Sequence, residues 1–217
     1  MSNVLVIAGH PDSTSFSSAL AQAYAQAAER RGATVTLIDL AQLQFDPILR
    51  RAYKVDQPLE PDLQMAAAAI KAADHVAWFF PMWWGGAPAL VKGFIDRVFT
   101  PGFAFRYRGR NQLPEKLLKG RSARLVSSMD SPLAWYSLIL RRVLHASFGM
   151  ATLSFVGFSP MRSTMFYELR FRSAAERERA LDKVRRAAVS DVAACPTARP
   201  VAALGSGKNA NVETQRA

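Results

Sequence analysis

The feature that most constrains this chain is an alternation of short apolar runs with segments of helical periodicity. The first run, Val4-Leu5-Val6-Ile7, ends at Gly9-His10-Pro11, which is typical of a buried parallel strand that leads into a loop. Further strands are predicted over residues 34–40, 75–80, 123–129 and 163–167. Long crossovers with right-handed connections predict an α/β fold whose core is a doubly wound, five-stranded parallel sheet covered by helices on both faces.

Helices are predicted between these strands and after the last of them. The first is capped by Ser15 or Ser17 and ends at Gly32, and the second runs from Pro61 to Ala73. The others are predicted over residues 88–99, over residues 132–157 with a break near Gly149, and from the capping box that begins at Ser173. Residues 42–59 and 101–112 are predicted to be loops.

Length and composition favour one catalytic domain. The chain has 217 residues, of which 50% are hydrophobic, and this is sufficient for one substantial core. We expect this domain to cover residues 1–195, and we predict a disordered tail over residues 196–217, where Pro, Gly, Ser, Asn and Thr predominate. The single cysteine, Cys195, cannot form an internal disulfide. We expect neither a functional thiol nor a metal site.

Charge and hydropathy restrict the cellular setting. The first residues lack the pattern of a secretory signal, and charged residues interrupt each apolar run before it reaches the length of a membrane span, so we expect a cytoplasmic protein without a membrane span. The net charge of +11 is compatible with nucleic acid, anionic lipid or phosphorylated cofactors as partners. Because the basic residues are scattered and no nucleic-acid-binding signature accompanies them, we expect most to be solvated and predict no nucleic-acid partner.

The loop after the first predicted strand contains a candidate anion cradle. Thr14, Ser15 and Ser17 place hydroxyl groups and free backbone N–H groups at a helix N-terminus, which favours an anionic phosphate. The spacing matches neither the Gly-x-Gly-x-x-Gly of a dinucleotide fold nor a P-loop. Taken alone, these hydroxyl groups could equally serve only to cap the helix.

The loop after the third predicted strand carries the adjacent indoles of Trp83 and Trp84, followed by Gly85 and Gly86. Aromatic side chains at the end of a strand suit a planar ligand. The two glycines allow such a ligand to approach the backbone closely. The alternative is that both indoles pack against their own fold.

Three motifs in this order carry a resemblance to a known family. They are the run from Val4 to Pro11 with Ser15-Phe16 and Ala19-Leu20, the segment from Phe79 to Phe99, and Pro101-Gly102-Phe103-Ala104-Phe105. Together they resemble the NAD(P)H quinone reductases of the flavodoxin-like superfamily, over residues 3–170. The resemblance implies a flavodoxin-like, three-layer α/β/α fold and a bound flavin, with FAD favoured and FMN as the alternative. It also implies NAD(P)H as the electron donor.

The resemblance assigns candidate cofactor-binding residues to three segments. The segment that would hold the phosphate-bearing side chain of the flavin contains His10, Thr14, Ser15, Phe16, Ser17 and Ala19. The segment that would lie along the isoalloxazine ring, with backbone N–H groups directed at the ring edge, contains Pro81, Met82, Trp83, Trp84 and Gly85. In the third segment the better-known members have Thr-Thr-Gly-Gly, whereas this chain has Ser128 and Met129 followed by Asp130-Ser131-Pro132.

Four further residues are implied to act on the substrate. Tyr136 falls where the family has an active-site tyrosine, but the histidine found six residues later in mammalian-type members is Arg142 here. Tyr136 is therefore the candidate catalytic residue and Arg142 a candidate substrate-binding residue, each as a hydrogen-bond donor rather than as part of a charge relay. Phe105 and Tyr107 match positions that close the acceptor pocket from the partner subunit, which implies a homodimer with its site at the interface.

The implied reaction is transfer of hydride from NAD(P)H through the flavin to a quinone or related small-molecule acceptor, by a ping-pong mechanism. An alternative is a flavin-bound regulatory subunit of a potassium efflux system, since some relatives associate with such transporters. A single-electron carrier of the flavodoxin type fits poorly, because those proteins are typically acidic. The choices between NADH and NADPH and among acceptors stay open, although Arg106, Arg108 or Arg142 could prefer a 2′-phosphate.

Overall fold

The computed structural model describes residues 1–110 and 112–195 of the chain. Its strands are β1 (Asn3–Ala8), β2 (Thr34–Asp39), β3 (His75–Pro81), β4 (Phe105–Arg106), β5 (Glu115–Lys116), β6 (Ser122–Ser128) and β7 (Met161–Phe166). Five of them form one parallel sheet in the order β2-β1-β3-β6-β7, which is the order of a doubly wound sheet with a switch point between β1 and β3. The predicted fold class is confirmed.

Helices cover both faces of this sheet. They are α1 (Phe16–Arg30), α2 (Pro61–Ala72), α3 (Ala89–Val98) and α4 (Ala174–Ala194). One hydrophobic core lies between the sheet and the pair α1 and α4, and the other lies between the opposite face and α2, α3 and residues 135–156. The predicted capping box of α4 is present, because the Ser173 hydroxyl accepts from the Glu176 N–H while the Glu176 carboxylate accepts from the Ser173 N–H.

Burial explains the apolar runs from which the sheet was predicted. Every residue of the central strands β3 and β6 is buried, whereas the edge strand β2 is largely exposed. A central strand between two layers of helix contacts apolar groups on both faces, and its side chains therefore do not alternate in polarity.

The segment after Pro132 differs from its prediction. It forms two π-helical stretches, Trp135–Ile139 and His145–Ser154, in which the Leu140 N–H donates to the carbonyl of Trp135. The helix is interrupted at Arg141 and Arg142, whose φ angles are +46° and +55°. The predicted break near Gly149 is wrong, since Gly149 lies buried within the second stretch.

The two predicted loops contain short regular elements. The first includes the 3₁₀ turn Ala52–Lys54 and follows another, Leu40–Gln42. The second contains β4, which pairs antiparallel with β5 just beyond the loop, and this pair was not predicted. The predicted tail over residues 196–217 lies outside the described residues. No helix among the described residues is both long and apolar enough to cross a membrane.

Candidate active site

The carboxyl ends of β1, β3 and β6 open onto one cleft of about 730 Å³. Its lining residues come from three loops and from two segments near the end of the sheet. They are His10, Ser15, Phe16, Ser17, Pro81, Met82, Trp83, Trp84, Gly85, Ser128, Met129, Asp130, Ser131, Trp135, Leu140 and Leu169. Ligands of doubly wound sheets bind at this edge, so the cleft is the candidate active site.

The first wall is the N-terminus of α1. The Ser15 hydroxyl accepts from the Ser18 N–H at 3.2 Å and so caps the helix. The N–H groups of Phe16 and Ser17 make no hydrogen bond within the described part of the chain, and both residues line the cleft. Unpaired donors at the positive end of a helix dipole favour an anion.

Thr14 and Ala19 do not line this cleft. The N–H and hydroxyl groups of Thr14 donate to one carboxylate oxygen of Asp12, at 2.8 and 2.7 Å, and these bonds lower the pKa of Asp12. Thr14 therefore orders the loop. Ala19 lies one turn into α1, where its N–H donates to the Ser15 carbonyl.

His10 connects the first wall to the second. Its Nδ1 lies 2.9 Å from the backbone nitrogen of Asp12 and 3.1 Å from the Asp12 carbonyl oxygen. The imidazole also meets the Trp83 indole edge-on, with 5.5 Å between the ring centroids. This contact fixes the two loops relative to each other.

The second wall is a tight turn in which Trp83 and Gly86 exchange backbone hydrogen bonds of 3.0 and 2.9 Å. Within the turn, Trp84 and Gly85 both have positive φ, and the indole of Trp84 is fully exposed. The Met82 N–H donates to the Ser128 carbonyl at 2.8 Å. The N–H groups of Trp84 and Gly85 have no partner among the described residues, and they are the donors of this segment that stay available to a ligand.

The third wall follows β6. The hydroxyl groups of Ser127 and Ser128 are buried without a hydrogen-bond partner in the described structure, and Ser128 lines the cleft. Beyond them, Asp130 accepts the Arg170 N–H at 2.9 Å, and the Leu169 N–H donates to the Met129 carbonyl at 3.1 Å. These bonds hold the turn that follows β7 against the cleft.

A comparison with protein families agrees with this arrangement of three loops around one cleft. A family model described as a flavodoxin-like fold matches residues 2–191. The chain belongs to this flavodoxin-like family. Among its relatives, NAD(P)H dehydrogenase (quinone) 1 from Cavia porcellus is 35% identical over 124 residues, which cover 48% of this chain and 45% of that protein. The chain spans about half the length of the curated relatives that it matches.

Two solved structures share the flavodoxin-like fold over most of their length. The NAD(P)H:quinone oxidoreductase from Methanothermobacter marburgensis has a TM-score of 0.73 and 24% identity, and the match covers 88% of this chain and 96% of that one. An FMN-dependent NADH-azoreductase from Bacillus anthracis, solved in complex with FMN, has a TM-score of 0.70 and 17% identity, covering 88% and 100%. At these identities the likeness establishes a common fold.

Tyr136 and Arg142 lie beside the flavodoxin-like cleft without lining it. The Tyr136 ring is buried against Tyr167, with 5.8 Å between centroids, and its hydroxyl makes no hydrogen bond to the described residues. Burial raises the pKa of Tyr136. Arg142 is exposed in the strained break between the π-helical stretches.

Phe105 and Tyr107 lie away from the cleft of their own chain. Phe105 is buried and lines a separate cavity of about 240 Å³, where it meets Phe155 at 5.5 Å between centroids. Tyr107 packs edge-on against Phe105 at 5.3 Å and leaves 69% of its surface exposed. Phe105 therefore supports an exposed Tyr107 that is free to contact another surface.

Five lining residues were missing from the sequence-based site: Asp130, Ser131, Trp135, Leu140 and Leu169. A signal was present for Leu169, because it follows the last strand of the sheet at the edge where ligands bind. Asp130 and Ser131 directly follow Met129 in the third segment. Trp135 and Leu140 reach the cleft through the π-helical backbone, for which the sequence offered no signal.

Proposed function

We propose that this chain is a flavin-dependent NAD(P)H:quinone oxidoreductase. The observation that carries the proposal is that each of the three segments assigned to flavin binding contributes residues to one cleft: His10 and residues 15–17 from the first, residues 81–85 from the second, and residues 128–129 from the third. The names of the Cavia porcellus and Methanothermobacter marburgensis relatives, a quinone dehydrogenase and a quinone oxidoreductase that both use NAD(P)H, support the same activity.

The cleft has the features that a flavin requires. The unpaired N–H groups of Phe16 and Ser17 suit its phosphate, and the volume of about 730 Å³ lies within the range of small-molecule sites. The hydroxyl of Ser128 is buried without a hydrogen-bond partner among the described residues, and a ligand in the cleft would provide one. Trp83, Trp84 and Trp135 provide aromatic surface for a planar ring.

When bound, the flavin would supply the two-electron chemistry between NAD(P)H and the acceptor. The chain would contribute binding and electrostatics. The N–H groups of Trp84 and Gly85 would donate to the ring edge and stabilise negative charge there. The indoles of Trp83, Trp84 and Trp135 would exclude water from the reacting face.

We expect ping-pong kinetics, because NAD(P)H and the acceptor would bind in turn to the same face of one cleft.

We also propose that the chain forms a homodimer. Tyr107 is 69% exposed and rests on the buried Phe105, which suits it to close the cleft of a partner subunit. Light scattering on the wild-type chain and on Tyr107→Ala would measure the mass of the assembly and whether Tyr107 contributes to it.

FAD is proposed as the flavin, with FMN as the alternative that the Bacillus anthracis azoreductase contains. The test begins with the visible spectrum of the purified protein and chromatography of the released flavin. Anaerobic addition of NADH or NADPH should bleach the flavin absorbance, and a quinone should restore it. A colourless protein that takes up neither flavin would overturn the proposed function.

A further inference from the structure

A further cavity lies at the C-terminal end of α1, whereas the candidate active-site cleft lies at its N-terminal end. It is a groove of about 340 Å³ between the C-terminal part of α1 and the middle of α4. Its lining residues are Ala27, Arg30, Arg31, Arg185, Arg186 and Val189, and we call it the arginine groove. Four of its six residues are arginines.

Most of this positive charge is not neutralised locally. Arg185 is held by the carboxylates of Glu178 and Asp182, at 2.8 and 2.6 Å. The side chains of Arg30, Arg31 and Arg186 are exposed and make no hydrogen bond or ion pair within residues 1–110 and 112–195. Three guanidinium groups in one groove therefore keep all of their donors available.

The ends of the helices do not account for this concentration of charge. Arg30 and Arg31 lie at the C-terminus of α1, where a cation interacts favourably with the helix dipole. Arg185 and Arg186 lie in the interior of α4, where that effect is absent. Like charges brought together at the surface repel one another, and a bound anion would remove this cost.

The floor of the groove is apolar. Ala27 is buried, and Val189 is 42% exposed and lines the same groove. Guanidinium groups bind phosphate oxygens through two parallel hydrogen bonds, and their flat faces stack on planar rings. A ligand that suits both features carries two or more phosphate groups on a small apolar or planar body.

We propose that the arginine groove binds a small organic polyphosphate, with its phosphates on Arg30, Arg31 and Arg186 and its apolar part over Ala27 and Val189. The site is distinct from the active-site cleft. Helix α1 begins at the cleft with Phe16 and ends at the groove with Arg30, and its 15 residues separate the two sites by about 20 Å.

The experiment is calorimetric titration of the purified, full-length chain with ATP, with tripolyphosphate and with a single-stranded oligonucleotide. We expect saturable binding of ATP that is tighter than binding of tripolyphosphate, because only ATP also covers the apolar floor. The double variant Arg31→Ala/Arg186→Ala should weaken ATP binding by about 10-fold or more. A matched control is Arg51→Ala/Arg179→Ala, which removes the same charge from exposed positions outside the groove.

Three results would overturn the proposal. They are the absence of saturable ATP binding, an equal loss of binding in the control variant, and groove-dependent binding of the oligonucleotide that is tighter than that of ATP. All four substituted arginines are exposed, so both variants should fold, and circular dichroism with thermal melting checks this. A third variant, Val189→Asp, places a carboxylate in the groove and should weaken ATP binding while leaving α4 intact.

Discussion

Individual backbone donors differ in whether they remain available in the candidate active-site cleft. Of the N–H groups in the turn after β3, those of Met82 and Trp83 are used by Ser128 and Gly86, and those of Trp84 and Gly85 remain. On the first wall, the hydroxyl of Ser15 is used as a helix cap while the N–H groups of Phe16 and Ser17 remain. The polar side chains of these loops mainly hold the backbone in place so that its donors face the cleft.

We expect the substitution Ser15→Ala to weaken flavin binding roughly 10-fold, because loss of the cap loosens the turn that presents the N–H groups of Phe16 and Ser17. It should also lower the free energy of unfolding by about 1 kcal/mol. Fluorescence titration with flavin and urea denaturation measure the two effects. The control is Ser173→Ala, which removes the equivalent cap of α4 and should cost similar stability without changing flavin affinity.

The indole of Trp84 provides a second prediction at the scale of residues. Because it is fully exposed on the cleft, Trp84→Ala should change the free energy of unfolding by less than about 0.5 kcal/mol. It should raise the KM for the quinone by roughly 3- to 10-fold, the value of one aromatic stacking contact. Tyr53→Ala, at an exposed aromatic residue outside the cleft, should leave KM unchanged. An unchanged KM in the Trp84 variant would show that the indole does not contact the acceptor.

At the scale of elements, the connection between β2 and α2 is anchored to α3. The buried guanidinium group of Arg97 donates to the carbonyls of Asp46 and Pro58 and pairs with Glu60 at 2.8 Å. Arg97, from a helix that follows this loop in the sequence, thus helps to hold a segment without helical or strand periodicity.

Gly93 lies where α3 contacts this connection. An added Cβ would lie 2.4 Å from the Cβ and 2.7 Å from the carbonyl oxygen of Pro47. Alanine is favoured over glycine in a helix by about 1 kcal/mol, but this clash outweighs the gain. We expect Gly93→Ala to lower the free energy of unfolding by about 1–3 kcal/mol, measured by urea denaturation.

The control for this prediction is Gly149→Ala, at a buried glycine of the second π-helical stretch. There, within the described part of the chain, an added Cβ would come under 3 Å only from the terminal methyl of Met161, at the end of a flexible side chain. The loss of stability should therefore be smaller than for Gly93→Ala. A Gly93 variant as stable as the wild type would contradict the close contact between Gly93 and Pro47.

At the scale of the whole molecule, one buried polar cluster joins both helices of one layer to the sheet. The Tyr24 hydroxyl donates to Asp191 at 2.8 Å, and its oxygen is 3.0 Å from His75 Nε2. His75 Nδ1 in turn lies 2.7 Å from the Ser122 hydroxyl, and Arg124 pairs with Asp191. Burial lowers the pKa of His75 to about 4, against the attraction of Asp191.

This shift predicts a dependence of stability on pH. The pKa of His75 is lower in the folded chain than its unfolded value of about 6.5, so acid adds a proton to the unfolded state first. Stability should therefore fall by about 3 kcal/mol as the pH drops from 6.5 to 4. Urea denaturation at intervals of pH measures this. The variant His75→Gln should flatten the profile in that window, whereas His145→Gln should keep it; an equally steep profile in both would contradict the assignment.

Asp191 extends the effect to lower pH. Burial alone would raise the pKa of Asp191. The pKa is nevertheless below its ordinary value, because Arg124 donates hydrogen bonds to the carboxylate, the charges of His75 and Arg124 attract it, and Tyr24 donates a further hydrogen bond. The stability that Asp191 contributes is present above its unfolded pKa of about 4 and is lost as the pH falls through the lower folded value. The two groups therefore act in adjacent windows of pH.

Much of the architecture and part of the site could be predicted from local patterns. Apolar runs such as Val4-Leu5-Val6-Ile7 indicated the strands, since a central strand is buried on both faces wherever it pairs. The loops at residues 10–17 and 81–85 could be placed at one edge of the sheet, because parallel strands bring their carboxyl ends together. These inferences depend only on the periodicity and order of elements, which a linear sequence contains.

Only the tertiary structure decided which hydrogen-bond donors and charged groups remain available to bind a ligand. Tyr136 matches an active-site position in the sequence, yet its ring packs against Tyr167 and does not line the cleft. Arg30 and Arg186 share a groove although they are far apart in the chain, and the partners of His75 come from α1, β6 and α4. Such features depend on contacts between residues distant in sequence, and those contacts form only when the two layers of helices pack onto the sheet.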